Sequence, residues 1–531
     1  MKADSYADGA IRPTRYSWYA LGILFLVYLA NFIDRQMITI LAPDIKRDLG
    51  LDDADIGFLY GTAFAVFYAL FGIPLGRLAD SWHRVRLLTI GLALWSAMTA
   101  LSGLARNGAM LAGARVGVGI GEATASPSAY SLLSDMFPKR LRATAIAIYS
   151  AGAYLGGGVS LMIGGLIVQN WDHAYPGGGT FGLAGWQVAF MAVGLPGLLL
   201  ALWVATLREP MRGLMDGLPT PPSSEPFRGF VKELCAVIPP FTLLGAARQG
   251  RAALAVNVAA ALLTIAAAWL LIGLTGATLQ WICVGTGYYA AFSWAVSLRH
   301  RDPPAFALIW RSPAFLSTIS AFGVLGFLTY GMIAFAPAYA IETLGEDAAR
   351  VGLWIGGGCA LSGFLGVIAG GHLSDRMHRR RPAGRIIVMA LGLAGSAVPV
   401  WSAFHIPPDP GGSADFLWFA LWVALANFFF STATGGAAAT TQDLVLSRMR
   451  GTATAMLILA STMLGLALGP YLVGEMSVAT GSLGGAVITT LWLVPAGLVL
   501  LYAAWRTVPR ETATVAERAR VAGEVIAVPG R

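Results

Sequence analysis

Four ionisable residues stand where long apolar runs ordinarily keep none: Asp34 and Arg35, then Arg115 and Glu122. Each lies in a stretch long enough to cross a bilayer, which takes about 20 residues. A charge at the bilayer centre costs about 2.5–3.5 kcal/mol on the insertion scale, so such residues turn toward a protein interior or a water-filled cavity. The guanidinium groups of Arg35 and Arg115 suit an anion, because they hold phosphate or carboxylate with two parallel hydrogen bonds. Asp34 and Glu122 suit proton carriage. A carboxyl group shielded from water can pass between charged and neutral forms, and a nearby arginine opposes its protonation. Asn31, one turn away, joins them as a candidate substrate contact, with an ordinary interhelical hydrogen bond as the competing reading. For the four charges the competing reading is fixed ion pairs that only hold helices together.

Depth narrows the geometry. If the first span runs outward, Asp34 and Arg35 lie roughly 6–8 Å beyond its centre at 1.5 Å per residue. The fourth span runs inward, which puts Glu122 near the midplane and Arg115 about 10 Å farther out. Residues seven apart share a helix face, so Arg115 and Glu122 line one cavity. Asp34 and Arg35 diverge by about 100° and point apart. An Asp34–Arg115 pair is the expected geometry.

The elements that hold these residues are spans. Of 531 residues, 56% are hydrophobic and 12% charged, against about 25% charge in a soluble domain. Apolar runs fall near 18–41, 55–76, 87–105, 108–135, 143–168 and 186–207. Two more lie near 252–274 and 277–298, and six near 313–341, 350–371, 385–404, 416–442, 452–474 and 484–505, fourteen in all. With a cytoplasmic N-terminus, 30 of the 36 lysines and arginines fall on the cytoplasmic side and 4 on the other. That asymmetry follows the positive-inside rule, places both termini in the cytoplasm and accounts for the net charge of +8 without nucleic acid. The first run is too long for a signal-peptide core and carries Asp34 and Arg35, so it reads as a retained span in an integral, multi-pass protein. A bacterial inner membrane is the expected location.

Two short cytoplasmic segments repeat. Gly76, Leu78, Asp80, His83 and Arg84 recur as Gly371, Leu373, Asp375, His378 and Arg379, at a constant offset of 295 residues. Arg142-Ala143-Thr144-Ala145 recurs as Arg450-Gly451-Thr452-Ala453, at an offset of 308. The chain therefore reads as two related halves, with a substrate site expected at the midplane between parallel repeats of this kind. The first segment is expected to be a short loop beginning at Gly76. Its Asp80, with Arg84 and Arg86, would pair with neighbouring helices as a conformational latch, mirrored by Asp375. A basic loop obeying topology alone is the plainer alternative.

Gly76, Leu78, Ala79, Asp80, Arg84 and Arg86 resemble the loop motif of the major facilitator superfamily, departing from it at Ser81 and His83. The resemblance covers nearly the whole chain. It implies an all-α, two-half transporter fold. Within that superfamily the chain is similar to spinster-like sphingolipid and lysolipid transporters. The similarity rests on Asn31–Arg35, on the run Arg115–Ala123 and on Arg208–Gly213 in the N-terminal half. It implies a lipid-like cargo.

The expected plan is an all-α polytopic membrane protein. It has an N-terminal six-helix half at 1–210, a linker with an inserted transmembrane hairpin at 211–310, a C-terminal six-helix half at 311–510 and a tail at 511–531. Pro219, Pro221, Pro222, Ser223, Ser224 and Pro226 mark the linker as non-helical. The hairpin is expected to be peripheral, without a transport role. The second half carries Thr329 where the repeat has Asp34. It offers aromatic walls instead: Phe322, Phe327, Tyr330, Phe335 and Tyr339, then Trp418, Trp422, Phe428 and Phe429. Aromatics at helical spacing more often pack or face lipid than bind ligand. A charged half opposite an apolar half nevertheless suits an amphiphile. Glycines at 152, 156, 157, 158, 164 and 165, and at 465, 469 and 474, permit close helix approach and bending.

Three cysteines without CxxC spacing, six histidines without HExxH and the absence of GxxxxGK[ST] leave no metal site, cofactor, catalytic set or ATP drive. A membrane enzyme is thereby disfavoured. The expected function is proton-linked, alternating-access movement of an amphipathic, lipid-like anion, outward, by a monomer in contact with membrane lipids. The alternative is proton symport of a small organic anion.

Overall fold

The first helix shows how caps bound an apolar run. Thr14 accepts a hydrogen bond from the Ser17 N–H at 3.1 Å and starts α1, Arg15–Leu49, which stops at Gly50 in the left-handed region, φ 66°. The computed structural model describes residues 13–176, 179, 182–212, 225–405, 413–446 and 449–524. Among these the chain is helical with no strand, and the proline-rich stretch 213–224 lies outside them.

Next come α2 (Asp53–Ser81), α3 (Arg84–Ser102), α4 (Gly108–Glu122), α5 (Ala125–Met136), α6 (Lys139–Ala174) and α7 (Gly185–Ala205). The linker forms α8 (Pro226–Val237) and α9 (Phe241–Gln249), bent by 95°. The inserted hairpin is α10 (Arg251–Thr275) and α11 (Thr278–Arg301), followed by the short α12 (Pro303–Trp310). Last are α13 (Pro313–Glu342), α14 (Ala348–Arg380), α15 (Gly384–Phe404), α16 (Ser413–Asp443), α17 (Arg450–Thr480), α18 (Leu483–Ala513) and α19 (Val515–Val521).

Among the described residues, twelve helices are long and apolar enough to cross a membrane. The expected fourth span is not one helix. It breaks between Glu122 and Ala125, because Pro127 has no N–H to offer the Ala123 carbonyl and its ring crowds that oxygen. The second hairpin helix, α11, is 24 residues long but carries Gln280 and ends in Arg299, His300 and Arg301. Length and apolarity thus support twelve spans, and the other two expected ones lie in α4–α5 and α11. The loop expected at Gly76 starts later, since α2 stays helical to Ser81; its counterpart α14 runs on to Arg380.

Packing divides the chain into two units that do not follow the sequence repeat. One contains residues 1–51, 70–234 and 346–360; the other contains 52–69, 235–345 and 361–531. In the first, α1 lies along α6, and α3 lies between α4 and α7. Gly152 and Gly156 of α6 let its backbone approach Phe25, Leu29 and Phe32 of α1, while Gly158 and Gly165 do the same for Gly356 and Ala348 at the start of α14. In the second unit α15 pairs with α16, and α13 packs on α17 and α18. There Gly465 and Gly469 of α17 meet Gly326 and Phe327 of α13, and Gly474 meets Asp53 of α2.

Candidate functional site

Helix α1 brings Asn31, Asp34 and Arg35 to the inner face of the first unit, and all three are buried. Glu122, the last residue of α4 before its break, meets them there. Arg35 Nη2 donates to Glu122 Oε2 at 2.7 Å, with the glutamate side chain fully buried and the arginine side chain 11% exposed. The Arg35 guanidinium also lies 4.8 Å from the Phe32 ring centroid, a cation–π contact that helps hold the fork. Asn31 faces the same glutamate. Arg115, seven residues up α4 from Glu122, is 1% exposed and donates from Nη1 to the Asp34 main-chain oxygen at 3.3 Å.

The four charges and Asn31 therefore come together, with one change from expectation. The side-chain ion pair runs from Arg35 to Glu122, and the Arg115 hydrogen bond reaches Asp34 through its main chain. Helix rotation is the reason. Arg35 turns toward the end of α4, whereas the Asp34 carboxyl turns toward Thr99 of α3, with Arg115 nearby. Asp34 Oδ1 and Glu122 Oε1 are both buried without a hydrogen-bond partner. Buried polar atoms in folded proteins are nearly always satisfied; here Thr99 lies beside the Asp34 carboxyl and Asn31 beside that of Glu122.

In the second unit Thr329 returns its hydroxyl to the Leu325 carbonyl of its own helix at 2.8 Å. Phe335 and Tyr339 are buried, and Tyr339 packs on Phe404 and Phe419 with centroids 5.0 and 5.3 Å away. Trp418 is 56% exposed on the outer surface of its helix. Phe428 and Phe429 close on Gly366 and Gly395. Most of the aromatic positions thus serve packing or face outward. No group of three or more His, Cys, Asp or Glu able to hold a metal occurs among the described residues.

Where α2 gives way to α3, Arg84 is the centre of a buried network. Its Nε donates to Glu209 Oε1 at 2.7 Å, and its Nη1 donates to the Ser131 hydroxyl at 2.9 Å and pairs with Asp135. Its Nη2 donates to the Pro210 carbonyl at 2.8 Å, and Glu209 also caps α3 by accepting from the Val85 N–H at 2.9 Å. Asp80 lies near Arg77, Arg84 and Arg212, and Arg212 ties the end of α2 through the Ala79 and Trp82 carbonyls. Arg86 is exposed, and the space beside Gly76 is open, so neither residue takes part in the network.

The second unit repeats the pairing: Arg385 pairs with Asp443 and lies 3.9 Å from Asp375. Sequence reasoning missed Asp135, Glu209, Arg385 and Asp443. A signal existed for two of them, because Asp135 and Asp443 each precede the repeated Arg142 and Arg450 by seven residues. Glu209 carried no such mark beyond its place in the run Arg208–Gly213.

The sequence profile of the Major Facilitator Superfamily matches residues 24–470. An MFS-type efflux pump of Mycolicibacterium smegmatis is 27% identical over 511 residues, covering 95% of this chain and 96% of that protein. Protein spinster of Drosophila melanogaster is 25% identical over 214 residues, 39% of this chain and 33% of its own length. A probable L-galactonate transporter of Escherichia coli is 27% identical over 207 residues, 39% and 43% of the two chains. Among solved structures, a bacterial homologue of the human lysosomal transporter spinster superposes with a TM-score of 0.66 at 26% identity. That match covers 96% of this chain and 99% of the homologue. This chain belongs to the major facilitator superfamily, with the fold of a bacterial spinster homologue.

Proposed function

We propose that the protein is a proton-linked secondary transporter of an amphipathic, lipid-like anion. It works by alternating access and moves its cargo outward. Asp34 and Glu122 carry the protons, while Arg35 and Arg115, with Asn31, receive the anionic group. The carrying observation is the buried Arg35–Glu122 pair, 2.7 Å long, whose carboxylate keeps a second oxygen unpartnered. A proton on Glu122 removes the charge that holds Arg35, and a buried guanidinium without its counter-charge is strongly unfavourable. An anion entering beside Arg35 relieves that cost. Proton uptake and anion binding are thus coupled through one side chain; this charge logic fits symport as readily as export, and the outward direction rests on the similarity to an efflux pump.

Several features support the finer parts of this reading. Similarity to an efflux pump over almost the whole chain favours export, and similarity to spinster favours a lipid-like cargo. The basic residues gathered on one side favour cytoplasmic termini, and we assign fourteen spans by adding α4–α5 and α11 to the twelve long helices. The Arg84 and Arg385 networks, with Asp80 and Asp375 beside them, serve as conformational latches. The protein acts as a monomer in a bacterial inner membrane, with 1–210 and 311–510 as its two functional halves.

A second reading, proton symport of a small organic anion, is favoured by similarity to sugar-acid transporters. Purified protein in liposomes with an imposed pH gradient separates the two. Movement of a labelled lysophospholipid, and none of labelled galactonate, supports the first reading; the reverse supports the second. Movement of both substrates irrespective of the gradient overturns the proton linkage.

A further inference from the structure

The inserted hairpin was expected to be peripheral. Half of it is: Leu263, Trp269 and Leu274 of α10 are 72–77% exposed. Its other helix, α11, is seated on a particular place, where α2 and α17 cross. Both of those helices depart from regular α geometry there, with wide π-helical turns at Phe58–Thr62 and Ser461–Leu466. Such turns open the backbone ladder and concentrate at functional positions. In α17 the ladder is interrupted further, because Pro470 has no N–H for the Leu466 carbonyl. Gly61 of α2 packs on that carbonyl, and Gly57 packs on Pro470.

The next carbonyl along, Ala467, is shared. Thr62 of α2 donates to it from Oγ1 at 2.6 Å, and Gln280 of the hairpin faces it from Nε2 at 3.5 Å. One turn on, Trp281 lays its ring across Tyr471 of α17, centroids 5.7 Å apart at 87°, in a core filled by Val284, Ala54, Phe58, Leu468 and Leu472. The indole N–H is held by Thr275 Oγ1 at 2.8 Å, which fixes the ring from the hairpin's own turn. Two turns below, Gly287 admits Met463 of α17 and Val66 of α2. So α11 touches α17 at three successive levels and α2 at two of them. Those helices come from opposite halves of the repeat.

We propose that the hairpin is a brace for this crossing, with Gln280 and Trp281 as its positioning residues. It biases the transport cycle toward the state in which α2 and α17 lie together at Ala467. Alternating access has to part these two helices at some stage, and the brace raises the cost of doing so. The inference rests on the transport reading only for the existence of that second state. Its test reads helix separation without any substrate, so it stands or falls independently of the cargo and of proton coupling.

The experiment uses the full-length protein in lipid nanodiscs, with Cys235, Cys283 and Cys359 replaced by Ser and spin labels at Asp55→Cys on α2 and Val478→Cys on α17. Pulsed dipolar spectroscopy then gives the distance distribution. Gln280→Leu is expected to raise the long-distance population about two- to threefold, the low end for one lost neutral hydrogen bond, because the contact is 3.5 Å long. Trp281→Ala is expected to raise it further, and Trp281→Phe to fall between. Trp269→Ala, on the exposed face of α10, is expected to leave the distribution unchanged. Parent-like distributions for Gln280→Leu and Trp281→Phe overturn the proposal. So does an equal shift on Trp269→Ala.

Discussion

Arg35 and Glu122 are joined by a 2.7 Å ion pair between α1 and the broken end of α4, in a setting where neither side chain is more than 11% exposed. Breaking a buried pair from one side strands a charge and typically costs about 3–5 kcal/mol, whereas removing both charges is far less harmful. Arg35→Ala is therefore expected to lower stability by about that amount, and Arg35→Ala with Glu122→Gln to recover most of it. Thermal unfolding of the single and paired variants in one detergent checks this. Additive losses would mean that the two residues do not act as a pair.

Arg84 presents a second contrast. Its guanidinium is fully buried and meets Asp135, Glu209, Ser131 and Pro210 together. Arg84→Ala is expected to cost about 3–5 kcal/mol, because it leaves the two acidic partners uncompensated. In the other unit Arg385 is paired with Asp443, which is 36% exposed, and with Asp375, which is 65% exposed. Solvent screens such pairs, so Arg385→Ala is expected to cost about 1 kcal/mol or less. Equal losses in the two variants would contradict the difference in burial.

Two glycines in α2 separate close packing from simple helix propensity. A Cβ at Gly61 would fall on the Leu466 carbonyl, whereas Gly72 has open space around it. Gly61→Ala is expected to destabilise by about 1–3 kcal/mol through overpacking. Gly72→Ala is expected to be neutral or to stabilise by about 0.5–1 kcal/mol, the gain of alanine over glycine within a helix. Parallel melting curves distinguish the two. Loss at both sites would point to a requirement for flexibility rather than for space.

Much of this arrangement was legible in the chain. Charges in apolar runs singled out Asp34, Arg35, Arg115 and Glu122, and the structure gathers these four in one buried cluster. The constant offset from Gly76 to Gly371 made two related halves the expectation, because a duplicated loop keeps its spacing. Which arginine takes which carboxylate was not legible. That depends on helix rotation and on a long, flexible side chain, and spacing along one helix does not report either. The break after Glu122 had a local cause in Pro127, masked by the apolar run around it. The seat of α11 on the Ala467 carbonyl lies one residue past the Leu466 carbonyl that Pro470 leaves without an N–H, and hydrophobic periodicity does not display it.

Asp34 and Glu122 are proposed to carry the protons that drive transport. The most direct measurement is pH-gradient-driven flux into liposomes, set beside substrate counterflow without a gradient, for wild type and for Asp34→Asn with Glu122→Gln. The double variant is expected to lose gradient-driven accumulation while keeping counterflow. Full gradient-driven accumulation by that variant would contradict it.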